Sequence, residues 1–190
     1  VRMNPEYEFL FNALLSRARA FDPKHNDSSK LISEINKMLK DDKNNDYKDQ
    51  IYFALAEIAL KEEEKERAID YLLNATANNT GNDQQQSIAH LTLAEIYFND
   101  SEYLSAQVHY DTAITFLSEN HPDFDDLSKK RESLNELVNL YNTITLNDSL
   151  YSLSELSEDE LKTIIDAIIE EKKEEDRLAK EALRANAGSR

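Results

Sequence analysis

The sequence contains no cysteine and no tryptophan, and only two glycines and three prolines among 190 residues. Without cysteine there can be no disulfide, thiolate metal site or cysteine nucleophile, although that absence does not choose between cytosol and periplasm. Two glycines cannot supply the turns of a sheet protein, nor a glycine-rich loop that cradles phosphate. An all-α chain is the simple consequence. Positive charge is also scarce: 22 Lys and Arg stand against 38 Asp and Glu, a net charge of −16. That balance argues against nucleic acid as a partner and against anionic membrane surfaces. No apolar run approaches the ~18–20 residues that span a bilayer, so direct membrane insertion is not expected. No signal peptide is visible, and the opening VRMNPEYEF reads like the interior of a longer protein. The hydrophobic fraction of 40% is nonetheless enough for a buried core, and the length suits one domain or a short repeat array.

What the chain does have is a spaced pattern written twice. LAEIALKEEEKERAIDYLLNA (55–75) and LAEIYFNDSEYLSAQVHYDTA (93–113) share their first four residues. Glu64 matches Glu102, Ala68 matches Ala106 and Ala75 matches Ala113, always 38 residues apart. Tyr52, Leu55, Ala56 and Ala59 fall at i, i+3, i+4 and i+7, one stripe of a helix. Ala68, Leu72 and Ala75 form a second stripe after the polar KEEEKE. The equivalents are His90, Leu93, Ala94 and Tyr97, then Ala106, Tyr110 and Ala113. Alanines at a helix crossing permit close approach, and large flanking residues fill the groove, so each copy reads as a helix hairpin stacked on its neighbour.

This pattern resembles the tetratricopeptide repeat, with Ala59 where a tyrosine is usual, His90 where an aromatic is usual, and no closing proline. The longer period is taken up by the polar NNTGNDQQQS around Gly81, where added length costs little. The resemblance implies a right-handed helical solenoid of repeat hairpins over 1–146. Its clear copies lie at about 50–80 and 88–118, and degenerate ones at 4–42 and 123–146. In the first degenerate copy Leu14, Leu15, Ala18 and Phe21 face one way before Asp22-Pro23. Ser28 or Ser29 then caps a helix carrying Leu31, Ile32, Ile35, Met38 and Leu39. After Pro122 a helix over about 123–146 uses Leu127, Leu134, Leu137, Val138 and Tyr141. A short connecting helix is expected at 147–156. A long C-terminal extra helix follows at 157–190, opened by Ser157 and Glu160 in a capping box. It is amphipathic through Leu161, Ile164, Ile165, Ile168 and Ile169, then charged, with Leu178 and Leu183 as its remaining large apolar residues. That charged part reads either as a solvated extension or as a helix reaching for a partner.

Nothing in the residues makes a case for an enzyme. The four histidines are His25, His90, His109 and His121. His90 and His109 lie on the two helices of one hairpin, where they can face each other, but no third ligand stands at metal-binding spacing. HPDFDD lacks the turn glycine and terminal glutamate of a calcium loop, and acidic residues at a helix start explain it. Acidic pairs are too abundant to single out an acid–base couple, and no glycine-rich phosphate loop or nucleophile motif is present. No catalytic residue, metal or cofactor is expected. Protein binding has the better case. Phe53, Glu57 and Leu60 lie along one line of their helix, as do Leu91, Glu95 and Phe98. The resemblance to tetratricopeptide repeats implies that such positions line a concave groove, one suited to an apolar segment carrying Lys or Arg, and the alternative is packing between adjacent repeats. Glu57 and Glu95 have the wrong charge to grip a peptide's terminal carboxylate.

A narrower resemblance rests on three segments. They are KMLKDDKNNDYKDQIYFALAEIALKE (37–62), LAEIYFNDSEYLSAQVHYDTAITFL (93–117) and ESLNELVNLYNTITLNDSLYSLSELSEDELKTIIDAIIEE (132–171). Together they resemble an internal part of the large tetratricopeptide lipoproteins of the type IX secretion and gliding-motility machinery of Bacteroidetes. The resemblance implies a non-enzymatic scaffold linking the outer-membrane translocon to periplasmic ring components. It also implies a periplasmic location with a lipid anchor outside these residues, the alternative being cytoplasmic. The partners would be other subunits of that machinery, and the oligomeric state is open. The alternative function is a general peptide-binding module for an extended segment of an exported or partner protein.

Overall fold

The computed structural model describes residues 5–187, with side chains described over 7–182. Every regular element among them is helical: α1 (Pro5–Arg19), α2 (Ser29–Leu39), a 3₁₀ turn (Asp42–Tyr47), α3 (Lys48–Lys61), α4 (Lys65–Ala77), α5 (Asp83–Asn99), α6 (Tyr103–Phe116), α7 (Phe124–Ser154) and α8 (Glu158–Ala187). The chain divides into two compact units, Val1–Val138 and Asn139–Arg190.

The first unit is built from helix pairs that share a core. Ala56, Ala59, Ala68 and Ala75 are buried in the α3–α4 hairpin, and Ala94, Ala106 and Ala113 in the α5–α6 hairpin. The alanines seen in sequence therefore occupy the positions that let paired helices approach. Leu72, Leu93 and Tyr110, the large residues between them, are fully buried. The core is continuous in kind but comes in three clusters. Phe11, Leu15, Ile35 and Leu55 join α1, α2 and α3. Phe53, Leu72, Ala89 and Leu93 join α3, α4 and α5. Ala94, Tyr110, Leu134 and Val138 join α5, α6 and α7. Because α3 and α5 each serve two clusters, they carry the most buried residues. Each fully buried Leu or Ile contributes roughly 1.5–3 kcal/mol.

The repeat extends into its turns. Glu63 and Ser101, 38 residues apart, both hold left-handed backbone, with φ of 60° and 64°. Around them the hydrogen bonds correspond one for one. Glu64 N donates to Ala59 O and Glu102 N to Tyr97 O, both at 2.9 Å, while Glu63 N donates to Leu60 O and Ser101 N to Phe98 O. This is a Schellman-type helix end in which a left-handed residue turns the chain so that orphan carbonyls are satisfied. Glycine is the usual residue there, and the chain uses none. The polar loop after α4 is anchored rather than loose. Asn79 Oδ1 accepts from Gly81 N (2.9 Å) and Asn82 N (3.2 Å), while its Nδ2 reaches Asp49 Oδ2 (3.3 Å) at the start of α3. Asn82 then caps α5 by accepting from Gln85 N at 3.1 Å. Gly81, with φ of +99°, fills the one left-handed position of that loop.

Several boundaries differ from the reading of the sequence. The carboxylate at the entry to α2 belongs to Asp27, whose Oδ1 accepts from Ser29 N (3.2 Å) and Ser29 Oγ (2.8 Å). Ser28 stands at the cap position without a side-chain bond. Residues 147–154 form no separate connecting helix: α7 runs unbroken for 31 residues. No glycine or proline interrupts that stretch, and Asn147, Asp148 and Ser149 do not stop a helix already propagating. In the second unit the capping box at Ser157 is present. Glu160 N donates to Ser157 Oγ at 3.4 Å, and Glu160 Oε2 accepts from Ser157 N at 2.9 Å. Ser157 Oγ also donates to Glu160 Oε2 at 2.6 Å, and that bond, followed by the one from Ser157 N, holds the Glu160 carboxyl below its ordinary range.

Two substitutions of opposite sign test this account. Leu72→Ala should lower the free energy of unfolding by about 2–5 kcal/mol. Glu63→Gly should raise it by about 0.5–1 kcal/mol, because glycine occupies left-handed backbone without strain. Urea titrations read both, and a destabilising Glu63→Gly would remove the turn argument.

Candidate docking surfaces

The sequence singles out two trios in the first unit, and the structure turns them toward different helices. Phe53 is buried in the cluster shared by α3, α4 and α5, so it packs and is not presented. Glu57 is half-buried beside α1: Arg19 Nε lies 3.7 Å from its Oε2. Burial raises the Glu57 carboxyl above its ordinary range, with Arg19 and Lys61 opposing. Lys61 Nζ is itself engaged by the last carbonyls of α1, those of Ala18 and Arg19. Leu60 is partly buried at the edge of the same cluster as Phe53. On α5, Leu91 packs against the third cluster. Glu95 is exposed and lies 3.9 Å from Lys130 Nζ of α7. Phe98 is 36% exposed, with Tyr103 edge-on to its ring and Lys130 Nζ 5.6 Å from its centroid. Each trio is thus partly covered by the helix that follows or precedes its hairpin. The end of one line does remain open. Leu60, Glu63, Lys65, Ile96, Asn99 and Asp100 line a notch of about 270 Å³, with a Lys65–Asp100 ion pair (2.9 Å) on its rim.

Between α5 and α6 lies a feature whose geometry periodicity could not supply. His90 Nδ1 and His109 Nδ1 are 2.9 Å apart, the rings tilted by 32°. At that distance one imidazole donates its proton and the other accepts. Tyr97 stacks on His109 with an interplanar angle of 6°. Gln86, one turn before His90, brings its amide nitrogen 3.3 Å from His90 Nε2. Burial lowers both histidines below their ordinary range. His90 falls to about 4, where repulsion from His109 adds to desolvation. Among the described residues no group of three or more His, Cys, Asp or Glu is arranged to hold a metal ion. The pair therefore acts as a neutral clasp between two helices.

The second unit is different in kind. Leu140, Tyr141, Ile144, Leu146, Leu150 and Tyr151 are all more than half exposed. On α8, Ile164, Ile165, Ile168 and Ile169 form the stripe expected from sequence, and all four are exposed. Leu178 is 52% exposed, while the side chain of Leu183 lies outside the described residues. Further along α8 the charges pair with one another. Arg177 bridges Glu174 and Glu181 at 2.6 Å each, and Lys172 and Lys173 reach Glu175 and Glu170 at the same distance. Such exposed pairs contribute little stability but keep the helix solvated. The α7 face carried a sequence signal: in 137–154 only Asp148 is charged, against 32% across the chain. No helix among the described residues is long and apolar enough to cross a membrane.

Fold and surfaces define an all-α protein of packed helix hairpins. No protein-family model matches the sequence, and no curated protein matches it either.

The histidine clasp predicts a pH dependence. Folded His90 resists protonation while the unfolded chain accepts a proton near pH 6.5, so the clasp contributes fully above about pH 6.5 and its contribution fades as pH falls toward 4. His90→Gln should remove on the order of 1–2 kcal/mol of the stability difference between pH 7.5 and pH 4.5. Urea midpoints of both proteins at the two pH values check it. An unchanged difference would mean the clasp does not titrate.

Proposed function

We propose that the protein is a non-enzymatic scaffold of the tetratricopeptide type that docks other proteins through its helical walls. In the narrower form of the proposal, it belongs to the type IX secretion and gliding-motility machinery and joins the outer-membrane translocon to periplasmic ring components. The observation that carries the docking reading is the exposed apolar face of α7 and α8, far more than a solvated helix needs. The 38-residue repeat and its repeated left-handed turns support the repeat type. The three sequence segments that resemble the secretion lipoproteins support the machinery, and a periplasmic location with it.

The second reading, a peptide-binding module, draws on the notch at Leu60 and Ile96. At about 270 Å³ that notch holds a side chain or two rather than an extended segment, so docking of a folded surface is the better fit. Capture assays with purified translocon and ring subunits separate the readings. Leu178→Asp with Leu183→Asp should reduce captured subunit at least tenfold, about 1.4 kcal/mol. Glu57→Lys with Glu95→Lys should act more weakly, since Arg19 and Lys130 already lie beside those carboxylates. Capture that neither pair alters, together with saturable binding of short free peptides, would replace the scaffold by the peptide-binding module.

A further inference from the structure

α7 passes from a covered stretch to an uncovered one without changing its character. Leu134 and Val138 are buried against α5 and α6, and Tyr141, next in the same i, i+4, i+7 line, is 54% exposed. From there the helix is apolar on two sides. Leu140, Tyr141, Ile144 and Tyr151 occupy one arc, and Leu146 and Leu150 lie roughly opposite. α8 does not cover either arc, because its own isoleucine stripe is equally exposed. Each chain therefore carries two apolar surfaces in one unit, and neither fills the other.

We propose that residues 137–169 form the interface of a homodimer, in which α8 of one copy covers α7 of the other and the two pairs close a four-helix bundle. Two observations select a second copy as the occupant. The first is area. At roughly 100 Å² for each half-exposed large apolar side chain, the arcs of α7 and the stripe of α8 together offer on the order of 1,000 Å² per chain, comparable with the ~800 Å² per partner of a stable interface. The second is charge. A chain of net charge −16 meets itself most favourably where carboxylates are sparse. Residues 137–154, the α7 half of the interface, are such a surface, with Asp148 as their one charge; the α8 half adds Glu155, Glu158, Asp159, Glu160 and Asp166 against Lys162, flanking its isoleucine stripe. On α7 that neutrality gives a basic partner little to recognise. A two-fold pairing also satisfies both stripes at once, since whatever α7 needs from α8′, α7′ needs from α8. The dimer would occupy the same apolar face that carries the docking reading, leaving Leu178 and the walls of the first unit for other proteins.

Sedimentation equilibrium of the full chain from 1 to 100 μM tests it. The expected result is twice the chain mass, retained at 0.5 M salt, because screening relieves the repulsion between acidic copies while the contact itself is apolar. Ile144→Asp with Leu150→Asp should raise the dissociation constant at least a hundredfold with unchanged helical circular dichroism. Phe9→Asp with Leu10→Asp, on the exposed face of α1, should leave the dimer intact. The chain lacks cysteine, so Thr145→Cys provides a single-site label for an independent distance measurement between copies. A monomer throughout the concentration range overturns the proposal, as does a dimer broken by the α1 pair and not by the α7 pair.

Discussion

Two antiparallel helices can lie close together only where neither carries a large side chain at the crossing. This chain meets that condition with buried alanines, and the arrangement of the first unit follows from it. Ala59, Ala68 and Ala75 in one hairpin, and Ala94, Ala106 and Ala113 in the next, leave room for backbones to approach. Leu72, Leu93 and Tyr110 then find pockets formed by neighbouring helices. Close approach also dictates the turn, because a hairpin with little space between its helices must reverse within three residues. Left-handed backbone at Glu63 and Ser101 accomplishes that reversal. Tight packing thus tolerates a local strain of about 1–2 kcal/mol at each turn.

The second unit shows what the same composition does without that condition. Residues 139–169 carry branched and aromatic side chains at a density similar to that of the core helices, yet no alanine pattern draws a second helix of the same chain onto them. Apolar surface left at this density is unfavourable in water until something covers it. Charge is distributed accordingly. Carboxylates crowd the first unit's surface and both ends of α8, where the distal ones pair with Lys172, Lys173 and Arg177, while the distal half of α7 is nearly free of them.

Much of the architecture was legible in the residues themselves. The i, i+3, i+4, i+7 stripes located α3 to α6, and the Ser157–Glu160 box located the start of α8. Both are local signals, set by helical periodicity and by bonds spanning three residues. The distal part of α7 was less legible, because polar residues such as Asn147 and Ser149 suggest an interruption that a propagating helix does not need. The trios on α3 and α5 were located as lines but not as surfaces. Whether such a line faces solvent depends on Arg19 from α1 and Lys130 from α7, residues far away in the chain.

The sequence by itself determined an acidic, all-α chain, a 38-residue spacing, and the positions of small and large residues along each helix. These follow from composition and from a periodicity that needs no knowledge of neighbours. Only the tertiary structure decided that His90 and His109 meet at 2.9 Å, that Asn79 ties a polar loop to Asp49, and that the apolar face of α7 is buried up to Val138 and open beyond it. Contact and burial are properties of pairs of distant segments, and a pattern written along one segment states what it can bury without stating what arrives to cover it.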